Sequence, residues 1–190
     1  MSHLFHQIIA CHRKVLEETE IACEPALGIL CDIAAETLQS GHRILLFGNG
    51  GSAADAQHIA AELSIRFIKN RRALAGLALT TDSSVLTACA NDLGFDQVFS
   101  RQIEALGQTG DLAIAFSTSG TSPNIIKALE TAPTLGITAA AFSGKGGGQL
   151  NGIAHPLLIV PSDETARIQE MHILLGHILC AEIENRLGLA

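Results

Sequence analysis

Five short apolar runs recur along the chain, and longer stretches with helical spacing separate them. The runs cover residues 43–47, 75–79, 111–116, 137–142 and 156–160, and each is bounded by Gly, Ser, Thr, Asp or Pro. Continuous apolar runs of this length are typical of strands that are buried on both faces of a parallel sheet. The sequence therefore predicts five buried parallel strands.

Helical spacing of apolar residues occurs between and around these runs. It covers residues 53–67, 95–105, 124–131 and 164–187, and two further stretches, 4–21 and 27–38, precede the first run. Strand–helix alternation is typical of a three-layer, doubly wound α/β domain. We expect residues 1–190 to form a single domain, with residues 1–40 as a helical N-terminal extension.

Composition and charge narrow the possible functions. Apolar types make up 47% of the chain and charged types 16%, which excludes a disordered protein. The net charge of −7 argues against binding to nucleic acid, because proteins that bind polyanions are basic. The five cysteines contain no CxxC pair, and no apolar stretch is long enough to span a bilayer. We expect a cytoplasmic protein with reduced thiols and no membrane partner.

A glycine-rich loop follows the first run. Gly48, Asn49, Gly50, Gly51 and Ser52 lead directly into a predicted helix. Glycines let the backbone approach a ligand closely, and a helix N-terminus presents free N–H groups to an anion. The loop predicts a cradle for a phosphate or a sugar hydroxyl, and a tight turn capped by Ser52 is the structural alternative. No GK[ST] follows, which excludes a P-loop.

A hydroxyl-rich loop follows the third run. Five hydroxyls occur within six positions, on Ser117, Thr118, Ser119, Thr121 and Ser122. Ser122 followed by Pro123 is typical of an N-cap and the first residue of a helix. Because a structural turn needs only one cap, the remaining hydroxyls indicate a site for a phosphate monoester, bound by hydroxyls and helix N–H groups.

Two other loops allow two interpretations each. Asn91 and Asp92, between the second and third runs, could bind sugar hydroxyls, although a helix-ending turn is the simpler explanation. Residues 143–148, with the sequence SGKGGG, could line a ligand or merely connect two elements.

Polar residues on two predicted helices are candidate metal ligands or acid–base groups. His58 and Glu62 are four residues apart, so they share one helix face, although such pairs are common on solvated helices. Gln169, His172 and His177 interrupt an apolar helix, where core or interface histidines are the usual explanation. Gln169 and His177 are separated by about 12 Å of rise and about 80° of rotation, so long side chains could meet at one ion such as Zn²⁺.

These motifs together resemble the phosphoheptose isomerases, a branch of the sugar-isomerase (SIS) family. They are GNGGS at 48–52, AQH at 56–58, EL at 62–63, ND at 91–92, STSG at 117–120 and ARIQE at 166–170. The resemblance implies the SIS fold, a five-stranded parallel sheet flanked by helices, and a homotetramer with sites at subunit interfaces. Two positions depart from the pattern: Thr121 stands where many members carry Asn, and Ala166 where some carry Asp.

The resemblance also implies a reaction. Sedoheptulose 7-phosphate would become D-glycero-D-manno-heptose 7-phosphate through an enediol, the first step toward the activated heptoses of bacterial surface glycans such as lipopolysaccharide. One Zn²⁺ per subunit is expected on His58, Glu62, Gln169 and His177. The substrate is expected to contact Asn49, Gly50, Gly51, Ser52, Asn91, Asp92, Ser117, Thr118, Ser119, Ser122 and Gln169. We predict that Glu62 shuttles the carbon-bound proton and that His177 serves the oxygen side.

Three alternatives belong to other classes. The first is a non-catalytic SIS protein that binds the replication initiator DnaA, but such proteins lack the matching Glu62 and His177. The second is a sugar-phosphate-sensing regulatory domain, for whose usual DNA-binding partner 190 residues leave no room. The third is a dinucleotide-dependent oxidoreductase, which lacks a ribose-binding acid at residues 67–69.

The basic residues suggest where an anionic ligand finds charge compensation. Arg66, Lys69, Arg71 and Arg72 lie within seven positions, so we expect them to offset the acidic charge locally.

Overall fold

The computed structural model describes residues 3–189, and its centre is one five-stranded parallel sheet. The strands are β1 (Ile44–Gly48), β2 (Gly76–Ala78), β3 (Leu112–Ser117), β4 (Thr138–Ser143) and β5 (Leu157–Ile159). Their order across the sheet is β2-β1-β3-β4-β5, and all four neighbouring pairs are parallel. Each strand begins and ends within one or two residues of its predicted run, so the predicted α/β sheet is confirmed.

Alternate side chains of each central strand pack into two separate apolar layers, one on each face of the sheet. In β1, Ile44 and Leu46 join one buried cluster, whereas Leu45 and Phe47 join the other. All five residues of this strand are buried. Burial on both faces is the reason why the strand sequences show continuous apolar runs and no alternation with polar residues.

Six helices cover the two faces of the sheet. They are α1 (His3–Gln39), α2 (Gly51–Ser64), α3 (Ser83–Asp92), α4 (Ser100–Leu106), α5 (Pro123–Thr134) and α6 (Thr165–Arg186). The first apolar layer lies between the sheet and α1, α2 and α6, and the second between the sheet and α4 and α5. Short 3-10 segments occur at Phe95–Gln97 and Lys145–Leu150. The predicted three-layer architecture is confirmed.

Three helix predictions need correction. The two N-terminal stretches form one helix, α1, with Pro25 inside it, because Cys23 and Leu27 on either side of the proline both pack into the core. The helix predicted at 95–105 is divided into a 3-10 segment and α4. The unpredicted helix α3 buries only Cys89, while Val85 and Ala88 on the same face border an open cavity. Its start is marked by Asp82, whose carboxylate accepts hydrogen bonds from two backbone N–H groups of the first turn.

The sequence predicted no membrane-spanning stretch and reduced thiols, and residues 3–189 bear on both. No helix among them is long and apolar enough to cross a membrane. The cysteines in this part of the chain are all free thiols, and all but Cys11 are buried.

The strand order creates a switch point between β1 and β3. The chain leaves β1 toward β2 on one side of the sheet, and the later strands continue on the other side from β3. In open parallel sheets, ligands bind beyond the carboxyl ends of the strands at such a point. The glycine-rich loop leaves β1 there, and the hydroxyl-rich loop leaves β3 beside it.

Candidate active site at the switch point

A small pocket of about 70 Å³ lies at the carboxyl ends of β1 and β3. It is lined by Asn49, Ser52, Phe116, Ser117, Thr118, Ser119, Ser122 and Gln169. The fold thus brings the glycine-rich loop, the hydroxyl-rich loop and the start of α6 together. None of these lining residues is charged, so an anion in the pocket would rely on hydroxyls, amides and helix N-termini.

The hydroxyl-rich loop is held by its own hydrogen bonds. The Ser117 hydroxyl accepts from the Gly120 N–H at 3.2 Å, and the Ser119 hydroxyl accepts from the Thr121 N–H at 3.3 Å. Ser122 is the N-cap residue of α5, as predicted, but its side chain makes no capping hydrogen bond. The Ser122 hydroxyl is therefore available to a ligand beside the N-terminus of α5.

The glycine-rich loop is shaped for close approach. Gly50, with a φ of 57°, is the N-cap of α2, so Ser52 does not cap the helix as the structural alternative expected. Ser52 is buried in the first turn, where it lines the pocket. A Cβ on Gly51 would lie 2.5 Å from Gln169 Nε2, so glycine at this position lets Gln169 close over the start of α2.

A pair of amides joins the two loops. Asn49 Nδ2 donates to Asn124 Oδ1, and Asn124 Nδ2 donates back to Asn49 Oδ1, both at 2.9 Å. Asn124 is buried in the first turn of α5 and was not among the predicted site residues. The sequence did contain one signal for Asn124. It directly follows the Ser-Pro helix start, where the capping position is already taken by Ser122, so its polar side chain is free for another role.

A buried histidine supports the hydroxyl-rich loop from behind. His172 Nε2 lies 3.1 Å from the Ser143 carbonyl oxygen, and the Ser143 hydroxyl donates to the Ser117 carbonyl at 3.0 Å. The imidazole is fully buried near the rings of Phe116 and Phe142. Burial lowers the pKa of His172 to about 4, so the neutral ring donates to Ser143. His172 is a core histidine.

Three acid–base side chains meet further along α2 and α6. His58 Nε2 lies 2.9 Å from His177 Nε2 and 3.3 Å from Glu62 Oε1. The His58 side chain is 47% exposed and that of Glu62 is 23% exposed, so a ligand can reach both. Gly176 permits this contact because a Cβ there would lie 2.7 Å from Ile59 Cδ1.

Asp55 is a further polar residue that the motifs did not indicate. It lies three residues before His58 on α2, and its Oδ2 is buried without a hydrogen-bond partner among the described residues. Burial raises the pKa of Asp55 to about 6, against the opposing influence of His58. The three-residue spacing from His58 was the only signal in the sequence.

The four predicted metal ligands fall into two places. Gln169 contacts Gly51, whereas His177 contacts His58, which lies seven residues or about 10 Å further along the axis of α2. Within residues 3–189, no three His, Cys, Asp or Glu side chains form a ready-made cage for a metal ion. The donor types of His58, Glu62 and His177 nevertheless suit Zn²⁺, whose tetrahedral ligands lie about 3.3 Å apart. The four-residue zinc set stays a prediction.

The two loops with alternative interpretations lie outside the pocket. Asn91 and Asp92 are exposed at the end of α3 and hydrogen-bond to each other at 2.7 Å. Asp92 instead borders a separate, largely apolar cavity of about 800 Å³ beside β2, α3 and α4. The loop after β4 supports the hydroxyl-rich loop, since the Gln149 N–H donates to the Gly120 carbonyl at 2.9 Å. A role of Asn91 and Asp92 in sugar binding stays a prediction.

Residues 6–144 match the SIS domain family. The phosphoheptose isomerase of Paramagnetospirillum magneticum is 57% identical over 178 residues, which cover 94% of this chain and 93% of that protein. The phosphoheptose isomerase of Aquifex aeolicus is 59% identical over 153 residues, or 80% of each chain.

Solved structures agree with the sequence comparison. The phosphoheptose isomerase GmhA from Neisseria gonorrhoeae superposes with a TM-score of 0.89 at 40% identity, covering 95% of this chain and 97% of that one. A phosphoheptose isomerase from Francisella tularensis gives a TM-score of 0.92 at 35% identity, covering 97% and 100%.

The switch-point pocket and the doubly wound sheet define a sugar-isomerase (SIS) domain, and the family match covers most of the chain. Within that class, the chain belongs to the phosphoheptose isomerase family. It is accordingly an isomerase enzyme. The alternative of a non-catalytic protein that binds a replication initiator finds no support in these relatives.

Proposed function

We propose that this protein interconverts sedoheptulose 7-phosphate and D-glycero-D-manno-heptose 7-phosphate. One observation carries the proposal: an uncharged, hydroxyl-lined pocket and a cluster of acid–base groups lie along the same pair of helices, α2 and α6. The name of the relatives, phosphoheptose isomerase, supports this substrate class.

The separation of the two ends suits a seven-carbon sugar phosphate. Ser52 lines the pocket and His58 lies six residues further along α2, a rise of about 9 Å. With eight single bonds of about 1.5 Å in a zigzag, an extended seven-carbon chain spans roughly 10 Å from its phosphorus to C1. A phosphate held in the pocket therefore brings C1 and C2 to Glu62 and His177.

The phosphate is bound by neutral groups. Ser119 and Ser122 offer hydroxyls beside the N-terminus of α5, where the helix dipole favours an anion. Gln169 closes the pocket from α6 and offers its amide to the sugar. Of the substrate contacts named from the resemblance, Gly50 and Gly51 lie in the adjoining loop, and Asn91 and Asp92 lie away from the pocket.

Isomerisation moves two protons and needs no external oxidant. Glu62 takes a proton from C1 of the ketose, and the enediol forms as the C2 carbonyl oxygen gains a proton from His177. Glu62 then returns a proton to C2 while His177 removes one from the C1 hydroxyl, so that C1 becomes the aldehyde. Each positioned acid or base is worth roughly 10²- to 10⁴-fold in rate.

Zinc is part of this proposal. We infer one Zn²⁺ per subunit, held by His58, Glu62 and His177 with Gln169 as the fourth predicted ligand. When bound, the ion would polarise the sugar carbonyl. The converging nitrogen and carboxylate donors support it. Metal analysis should find one zinc per chain and a loss of zinc in a His58→Ala variant, and a wild-type protein that retains full turnover after exhaustive chelation would contradict the zinc proposal.

The remaining proposals concern assembly and location. We infer a homotetramer with sites at subunit interfaces, which acts in the cytoplasm on the route to activated heptoses. Large apolar side chains on the outside of α1 support association, namely Leu4, Ile8, Ile9, Leu16 and Ile21. Light scattering after gel filtration should give four times the 19.9 kDa of one chain. A monomeric mass would exclude the tetramer.

The decisive test follows the reaction itself. Purified protein is incubated with sedoheptulose 7-phosphate, and formation of the aldose is followed by NMR. We expect Glu62→Gln and His177→Gln to lose at least about 100-fold in kcat, because each removes a proton-transfer group. Glu130→Gln changes an exposed carboxylate on α5 and is the matched control. Absence of conversion by metal-replete wild type would refute the function, and full activity in either site variant would refute the roles.

A further inference from the structure

A buried ion pair lies next to the acid–base cluster but outside it. Arg71 Nε and Glu184 Oε1 are 2.8 Å apart, and both side chains are only 2% exposed. Glu184 lies seven residues after His177 on α6, and Arg71 belongs to the segment that follows α2. Buried pairs carry a large desolvation cost, and removing one partner leaves an uncompensated buried charge.

Glu184 holds the backbone that follows α2. Its carboxylate accepts hydrogen bonds from the N–H groups of Phe67, Ile68 and Lys69, at 3.2, 3.4 and 3.5 Å. Burial favours the neutral acid, but these N–H donors and the Arg71 guanidinium outweigh it and hold the pKa of Glu184 below its ordinary value. Glu184 is therefore a charged anchor for three consecutive residues.

Arg71 holds the end of α2 itself. Its guanidinium donates to the carbonyl oxygens of Glu62 at 2.9 Å, Leu63 at 2.8 Å and Arg72 at 3.0 Å. Arg71 offsets acidic charge locally, as expected, and it does so at the buried carboxylate of Glu184.

The anchored segment touches the acid–base cluster through one side chain. The Phe67 ring is stacked on the His177 imidazole, with centroids 5.5 Å apart and planes 23° from parallel. Phe67 is also the first residue whose N–H is bound by Glu184. The ion pair, the Phe67 backbone and the Phe67 ring thus form a continuous chain of contacts that ends on His177.

We propose that the Arg71–Glu184 pair is a positioning device for the reaction, which fixes Phe67 so that its ring holds the His177 imidazole in one orientation. This inference rests on the proposed proton-transfer role of His177. An imidazole contacted only by His58 could rotate about its side-chain bonds, whereas a ring stacked on its face restricts that rotation. A displacement of about 1 Å in a catalytic group can cost up to 100-fold in rate.

The first test removes the ring and keeps the anchor. We expect Phe67→Leu to lower kcat by roughly 10- to 100-fold with KM changed less than about twofold, because orientation is lost and binding is kept. Phe67→Tyr retains a stacking ring and should restore most of kcat. Ile68→Ala, which removes an exposed neighbour without touching His177, is the matched control. Wild-type kcat in Phe67→Leu would overturn the proposal.

A spectroscopic measurement tests the contact without any turnover. In histidine-labelled protein, the carbon-bound ring protons of His177 should be shifted upfield by the Phe67 ring, with the assignment taken from the signal lost in His177→Gln. Phe67→Leu should remove this shift, whereas Phe67→Tyr and Ile68→Ala should keep it. A His177 signal that is unchanged in Phe67→Leu would overturn the positioning role.

The second test acts on the anchor. Glu184→Gln leaves the Arg71 charge without its partner, so its folding is checked first by circular dichroism and thermal unfolding. At a temperature where it is folded, we expect the same selective loss of kcat as in Phe67→Leu. The double variant Phe67→Leu/Glu184→Gln should have a kcat only slightly below that of either single variant, because both substitutions act through one chain of contacts. Fully multiplicative losses would show independent effects and overturn the link.

The outcomes separate this inference from the proposed function. If wild type and the control isomerise the sugar and His177→Gln does not, normal kcat in Phe67→Leu refutes only the positioning device. If His177→Gln is fully active, the proposed role of His177 fails, and this inference fails with it even when the upfield shift is present.

Discussion

Acidification should destabilise the protein through His172 by an amount that the structure defines. The imidazole is fully buried and its pKa is lowered from 6.5 to about 4 by burial. A difference of this size corresponds to roughly 3 kcal/mol of unfolding free energy. The effect matters for function because His172 supports Ser143, which in turn holds the Ser117 carbonyl in the hydroxyl-rich loop.

The sign follows from proton uptake. The pKa of His172 is lower in the folded state, so the unfolded chain binds the proton more tightly. The contribution of the neutral imidazole to stability is complete above about pH 6.5 and is lost as the pH falls toward 4. Carboxylates also titrate in this range, so only the difference between wild type and a His172 variant isolates the histidine.

The assay is urea unfolding at one fixed protein concentration, at pH 7 and at pH 4. His172→Gln keeps a neutral N–H donor for the Ser143 carbonyl but cannot be protonated in this range. Between the two pH values, wild type should lose about 3 kcal/mol more unfolding free energy than this variant. His155→Gln changes an exposed histidine and should follow wild type. Equal losses in wild type and His172→Gln would refute the buried, neutral assignment.

Two further predictions concern glycines of the site. Gly120→Ala should destabilise the fold by roughly 2 kcal/mol or more, because the new Cβ would lie 2.1 Å from the Gly147 backbone oxygen and the residue has a φ of 64°. Gly146→Ala is the control, since Gly146 has a similar φ but no atom near the new Cβ, and thermal unfolding should show a cost of only about 1 kcal/mol. Gly51→Ala should displace the flexible Gln169 amide and raise KM about tenfold with little change in melting temperature, and an unchanged KM would show that this amide does not contact the substrate.

The sequence was sufficient for the sheet because burial on both faces leaves an unbroken apolar run. Leu45 and Leu46 enter different apolar layers, yet both are fully buried, so the run 43–47 predicts a strand without revealing which side chain faces which layer. Helix α3 was missed for the opposite reason. It contributes the buried Cys89 and the partly buried Leu86 to the core, and its start depends on a single capping residue, Asp82.

The two loops of the pocket were predictable because each follows a strand end and carries its chemistry locally. The contacts between residues far apart in the sequence were not predictable. The Asn49–Asn124 amide pair joins residues 75 positions apart, and the Arg71–Glu184 pair joins residues 113 positions apart. No periodicity or short motif contains such pairings, because they arise only when the sheet order brings distant elements together. Which residues of α2 meet Gln169 and His177, namely Gly51 and His58, likewise depends on where α2 lies along α6.

The lack of charge in the pocket reconciles an acidic protein with a phosphorylated substrate. With a net charge of −7, a cluster of arginines would be the expected means of attracting a phosphate, yet the residues that line the pocket carry no charge, and Arg71 is buried against Glu184. Hydroxyls and helix N-termini act only at hydrogen-bond range, so they select by shape and distance. The pocket is small, at about 70 Å³. We therefore expect a sugar monophosphate to be selected by its length, through the rise along α2 between Ser52 in the pocket and His58 beside His177, more than by long-range attraction.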